Sequence, residues 1–294
     1  MTPLDASDLW SQIFNFANYG ELLALLKNSI IAGAVLGVVG GLIGVFVMSR
    51  DMAFAVHGIS ELSFAGASAG LLFGIGVVEG SLIGSMIAAL LIGILGAKSR
   101  DRNSIIAVLM PFGLGLGILC LALYPGRTAN KFGLLTGQIV AVDNPRLESL
   151  IVISIIVVIG LLIVWRPLTF ASVDAAVAGA RGIPVRGLSI FFMLLLGLAV
   201  AVSVQIVGSL LVLSILVTPA AAALRLTSSP IIAPLLSMLF AVVSLVGGIM
   251  LALGGSIPIS PYVTTISFAI YVVCRLIAVS KARKGASGRV LSPA

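Results

Sequence analysis

Long apolar runs separated by short polar or charged punctuation occupy the chain from about residue 24 to residue 279. Crossing a bilayer core takes roughly 20 mostly apolar residues, with about 17–25 tolerated. Runs of that kind lie near 24–48, 52–76, 80–97, 104–124, 147–165, 188–206, 208–224, 230–253 and 262–279. The pattern predicts an all-α, polytopic membrane protein of about nine transmembrane helices. Eight is the alternative count, because the 52–76 run and the 207–209 junction are the weakest points. No polar stretch is long enough to fold alone, so residues 1–294 read as one transmembrane domain.

Two connections are longer than the others. The segment near 125–146 has a moderately apolar middle and is expected to be a lid, a re-entrant turn or a docking surface. The segment near 166–187 contains an Ala-rich helical stretch ended by Gly182 and Pro184, which are helix stop signals. Beyond Lys281 the chain is basic with Gly and Ser, and a flexible tail over 281–294 is expected.

Composition removes the soluble alternative. Hydrophobic residues make up 60% of the chain and charged residues only 9%, whereas a soluble domain carries roughly 25% charged residues. The formal charge of +7 would suit nucleic acid, but the basic residues sit at the ends of apolar runs, where they act as topology signals. Nucleic acid is therefore excluded as a partner, and the lipid bilayer of the cell membrane is the expected surrounding. With nine spans and the C-terminus inside, Arg50, Lys98, Arg100, Arg102, Arg166, Arg181, Arg186, Arg225 and the basic C-terminal residues all fall on the cytoplasmic side. That is thirteen of the 17 basic residues, so the expected orientation is N-out and C-in. Asp5 and Asp8 with no early Lys or Arg are the reverse of a secretory leader. Cys120 and Cys274 lie in apolar runs and read as packing residues.

Small residues recur at intervals of four, as in Gly33/Gly37/Gly41, Gly66/Gly70/Gly74 and Gly113/Gly117, a spacing that lets helices approach closely in lipid. Pro111, Pro219 and Pro234 fall inside runs.

One acidic residue stands well inside a run. An ionisable group at that depth is a functional candidate by default. Glu61 lies one helical turn after His57, the single histidine of the chain. The i, i+4 spacing puts imidazole and carboxylate on one helix face, a donor pair that suits zinc and is acceptable to manganese or iron. Spacing alone leaves open three roles: metal handling, a structural pair and a proton relay. The chain has no G-x-x-x-x-G-K-S/T phosphate loop, no H-E-x-x-H zinc motif and no second histidine, so enzyme readings find no support.

The stretch 207–224, VGSLLVLSILVTPAAAAL, resembles the signature span of the ABC-importer permeases that take up zinc, manganese or iron. Gly208 opens that signature and Pro219 kinks it. The inner segment 171–185, ASVDAAVAGARGIPV, is similar to the family's cytoplasmic segment before that span, through Asp174, Ala178, Ala180, Gly182, Pro184 and Val185. In the second span the family shows Met, then Asp, then His four residues later, then Pro-Gly. Here Met52 is followed by His57, Glu61 and Ala65-Gly66, so the nitrogen and oxygen donors are kept with their order swapped.

The resemblance covers about residues 24–280. It implies a type II ABC-importer-like homodimer in which His57 and Glu61 touch a transported divalent metal (zinc or manganese, or iron) and no cofactor is permanently bound. Asp174, Ala178, Gly182 and Pro184 would belong to a coupling segment docked on a separate cytoplasmic ATP-binding subunit, which hydrolyses the ATP. An extracellular or periplasmic metal-binding protein would deliver the ion. The alternatives are a secondary transporter of a small solute or cation, for which no internal repeat is found, and a structural membrane subunit.

Overall fold

The computed structural model describes residues 20, 26–96, 99–125, 139, 142–253 and 258–289. Among them the regular secondary structure is helical. The helices are α1 (Lys27–Ser49), α2 (Ala53–Phe73), α3 (Val77–Leu95), α4 (Ser99–Leu123), α5 (Asn144–Val173), α6 (Ala175–Ala180), α7 (Val185–Val207), α8 (Ser209–Leu226), α9 (Ile232–Ala252) and α10 (Ile259–Arg289). Each of the nine expected runs coincides with one long helix. Eight of these helices are long and apolar enough to cross a membrane. The ninth, α2, carries His57, Glu61 and three serines, which lower its hydropathy, and it is packed among α3, α4, α7 and α8.

Glycine ridges set the packing. The antiparallel pair α1 and α9 meets through Gly33, Gly37 and Gly41, where an added Cβ at Gly41 would stand 2.6 Å from the Met238 backbone. Gly66 and Gly70 of α2 press on the Gly76, Gly80 and Gly84 backbone of the α3 side. Gly113 and Gly117 of α4 lie on α2 at Glu61, Leu62, Phe64 and Ala65. A Leu at position 66 has nowhere to go, because the obstruction is backbone. Gly66→Leu is expected to cost about 1–3 kcal/mol, the range for overpacking. A lower unfolding midpoint of the purified variant in detergent would show it.

Two boundaries differ from the sequence reading. Helix α5 runs eight residues past 165, through Pro167. The Thr169 and Ser172 hydroxyls donate back to the Trp165 and Leu168 carbonyls at 2.7 and 2.6 Å, within the same turns. At its start, Asp143 caps the helix by accepting from the Arg146 amide. At the other end of the chain, α10 continues to Arg289, so 281–289 of the expected flexible tail is helical. Lys, Arg and Ala favour helix, and basic residues suit a helix C-terminus. The segment 125–146 lies mostly outside the described residues, as do the first nineteen residues and 290–294.

Candidate functional site

The arrangement around His57 and Glu61 follows from where α2 sits. Glu61 is placed where α4 comes closest: a Cβ on Gly113 would reach the Glu61 carbonyl carbon at 3.0 Å. Its side chain is 5% exposed, while that of His57, one turn nearer the α1–α2 loop, is 28% exposed. The imidazole Nδ1 stands 3.8 Å from the Glu61 Oε1. That is too long for a hydrogen bond. His57 Nδ1 and Glu61 Oε2 are both buried and have no hydrogen-bond partner among the described residues. An orphaned buried polar atom costs about 1–3 kcal/mol, more when charged, so the ion-pair approach at 3.8 Å leaves each group short of a hydrogen bond.

Two ligand atoms held 2.0–2.2 Å from one ion at the tetrahedral angle stand about 3.4 Å apart. A small rotation of either side chain covers the difference. Two donors are too few for a closed site, and no group of three or more His, Cys, Asp or Glu forms among the described residues.

Other buried polar groups lie on α2, α3, α7 and α8 that the sequence reading missed. Ser63 and Ser81 share a hydrogen bond of 2.7 Å, and the Ser81 hydroxyl also donates to the Ala201 carbonyl, tying α2, α3 and α7 together. Gln205 Nε2 of α7 and Ser209 Oγ of α8 are buried and unpartnered among the described residues. They flank Gly208, the single residue between those helices, whose φ is +81°. A side chain there is strained. The junction residues Val207 and Ser209 are 1% and 0% exposed, so the break between the two helices lies inside the bundle. Only the Gly208 position itself was legible in the sequence. Pro219 is buried within α8, beside Ala220, which meets Gly44 of α1.

The inner segment is built from caps. Asp174 begins α6 by accepting hydrogen bonds from the Ala176 and Val177 amides, both at 2.9 Å. Gly182 ends it in the left-handed region at φ +81°. Its amide donates to the Gly179 carbonyl at 3.0 Å and that of Ile183 to the Ala178 carbonyl at 3.1 Å, a Schellman closure that needs glycine at this place. Pro184 then caps α7. Ala178 is fully buried while the rest of α6 is exposed. The residues singled out as a coupling segment thus form a short, doubly capped helix standing proud of one end of the bundle. Cys120 and Cys274 are free and buried.

A nearly all-helical bundle of bilayer-length spans, with sparse ionisable groups around one inner helix, defines a multi-pass membrane protein of the transport class. Residues 23–278 match the ABC 3 transport family, and the chain belongs to it. The manganese transport system membrane protein MntC of Halalkalibacterium halodurans is 31% identical over 225 residues, which cover 76% of this chain and 77% of that protein. The high-affinity zinc uptake system membrane protein ZnuB of Haemophilus influenzae is 23% identical over 86% of this chain and 97% of its own length. Among solved structures, PsaBC from Streptococcus pneumoniae in complex with Fab overlays with a TM-score of 0.79 at 24% identity, covering 88% of this chain and 95% of that one. The expected fold class holds.

Proposed function

We propose that this chain is the membrane-spanning permease subunit of an ATP-driven importer for a divalent transition metal, zinc or manganese, oriented N-out and C-in. The metal reading is supported by the names of the relatives and carried by one observation: His57 and Glu61 hold a buried nitrogen and a buried oxygen that satisfy neither each other nor any described neighbour. An ion passing between them would satisfy both. Two donors bind weakly, and a path that conducts needs binding weak enough to release. In a homodimer with the two pairs facing a shared path, the ligand count would double to four. The half-exposed imidazole suits that arrangement, since it reaches the surface of the single chain.

The permease performs no covalent chemistry. A separate cytoplasmic ATPase subunit would grip α6 and move the bundle between outward and inward access. This needs only two states that bind the partners differently. An extracellular or periplasmic metal-binding protein would load the outer mouth.

The test is metal accumulation in metal-starved cells stripped of their own importers, with this chain expressed alone or with an ATPase subunit. Accumulation that requires the ATPase and ATP is expected. Accumulation driven by an ion gradient without any ATPase would instead identify a secondary transporter.

A further inference from the structure

At the end of the bundle that carries α6, a cavity of about 690 Å³ opens between the α1–α2 loop, the start of α4, the end of α5 and the start of α7. Three arginines, Arg50, Arg102 and Arg186, line it against one carboxylate, Asp51. Arg102 is only 9% exposed. Its Nη2 donates to the Arg50 and Asp51 carbonyls at 3.4 and 3.2 Å, an orientation helped by Asp51, whose φ is +53°. Arg50 donates to the Ser172 hydroxyl at 3.4 Å and lies 5.7 Å from the Phe192 ring centre. Both Nε groups, of Arg50 and of Arg102, are buried without a hydrogen-bond partner. Among the described residues the ion pairs within 4 Å are His57–Glu61 and Arg146–Asp143, and Asp51 acts on the Arg102 charge from farther away.

Burial of unpaired guanidinium is costly. Desolvation, and then the neighbouring Arg102 charge, already pull the Arg50 pKa below its usual value. An anion entering the cavity would meet an excess of positive charge, three arginines against one aspartate.

We infer that this cavity is an anion site that takes a phosphate group, held by Arg50, Arg102 and Arg186. Guanidinium forks match phosphate oxygens, and three arginines against one aspartate favour an anion. The cavity sits at the ends of the spans, where lipid headgroups would lie. Basic pockets in that position hold lipid headgroups; free inorganic phosphate offers the same oxygens. Bound phosphate would clamp the loop leading into α2 to the beginnings of α4 and α7 and to the root of α6. The inference is independent of the metal reading, since none of these residues is His57 or Glu61.

The test uses the purified full chain in neutral phosphatidylcholine nanodiscs. It is titrated separately with phosphatidylglycerol and with inorganic phosphate, and bound anion is read by native mass spectrometry and by the unfolding midpoint. Wild type should bind at least one of the two and gain thermal stability; lipid-only or phosphate-only binding identifies the source. Arg186→Gln changes an exposed position and should lower the apparent affinity about tenfold, the scale of one hydrogen bond to a charged group. Arg102→Gln should do at least as much, whereas Asp51→Asn, which the left-handed region tolerates, should strengthen binding. Binding of neither anion, or binding that Arg186→Gln and Arg102→Gln leave unchanged, overturns the inference.

Discussion

His57→Ala and Glu61→Ala should each abolish metal accumulation, or reduce it by more than about tenfold, while the protein reaches the membrane in normal amount. Changes to partners outside the ligand shell commonly cost roughly 10–100-fold in metal affinity, and a lost direct donor should cost at least as much. Folding should survive because both groups are already unsatisfied. Removing an orphaned buried acceptor relieves desolvation rather than breaking a contact, so the unfolding midpoint is expected to hold or rise. Glu61→Gln separates the roles further: it keeps an oxygen but removes the charge, and uptake should fall by less than in Glu61→Ala. Uptake at wild-type level in both alanine variants would remove the ligand role.

Loss of the α6 caps should uncouple this chain from the ATPase subunit proposed above. Helix α6 has six residues, too short to persist without its ends. Asp174→Ala removes an N-cap worth about 1 kcal/mol, and Gly182→Val forces a β-branched residue into the left-handed region. Both variants should lose most ATPase co-purification and most uptake, with metal binding by the permease retained. Asp174→Asn supplies an equivalent cap and should restore both, which distinguishes capping from a charge contact with the partner. Equal loss in Asp174→Asn and Asp174→Ala would move the role to the carboxylate's charge.

The helices were legible because lipid enforces their length: each apolar run had to become one. The C-terminal end of α6 was legible too, since Gly182 and Pro184 act through local backbone geometry; Asp174 stood out only through the resemblance, and its capping role came with the structure. The extension of α5 was not legible. Pro167 signals a stop, yet the helix runs through it to Val173. The helical backbone over 281–289 was not foreseen, because Gly and Ser were weighed above Lys, Ala and Arg. Least legible was what tertiary packing assembles. Arg50, Arg102 and Ser172 lie up to 122 positions apart, and no spacing rule joins them. For the candidate site, the i, i+4 register gave the shared face of His57 and Glu61. Their missing hydrogen bond, and the buried turn at Gly208, emerged only with the neighbouring helices in place.

The central claim is that the two donors on α2 touch the transported ion. Pulsed electron paramagnetic resonance of manganese bound to the full chain in lipid reads nitrogen at the metal directly. The account predicts a histidine nitrogen coupled to the ion that disappears in His57→Ala. Manganese bound with oxygen neighbours only, unchanged by that substitution, would contradict it.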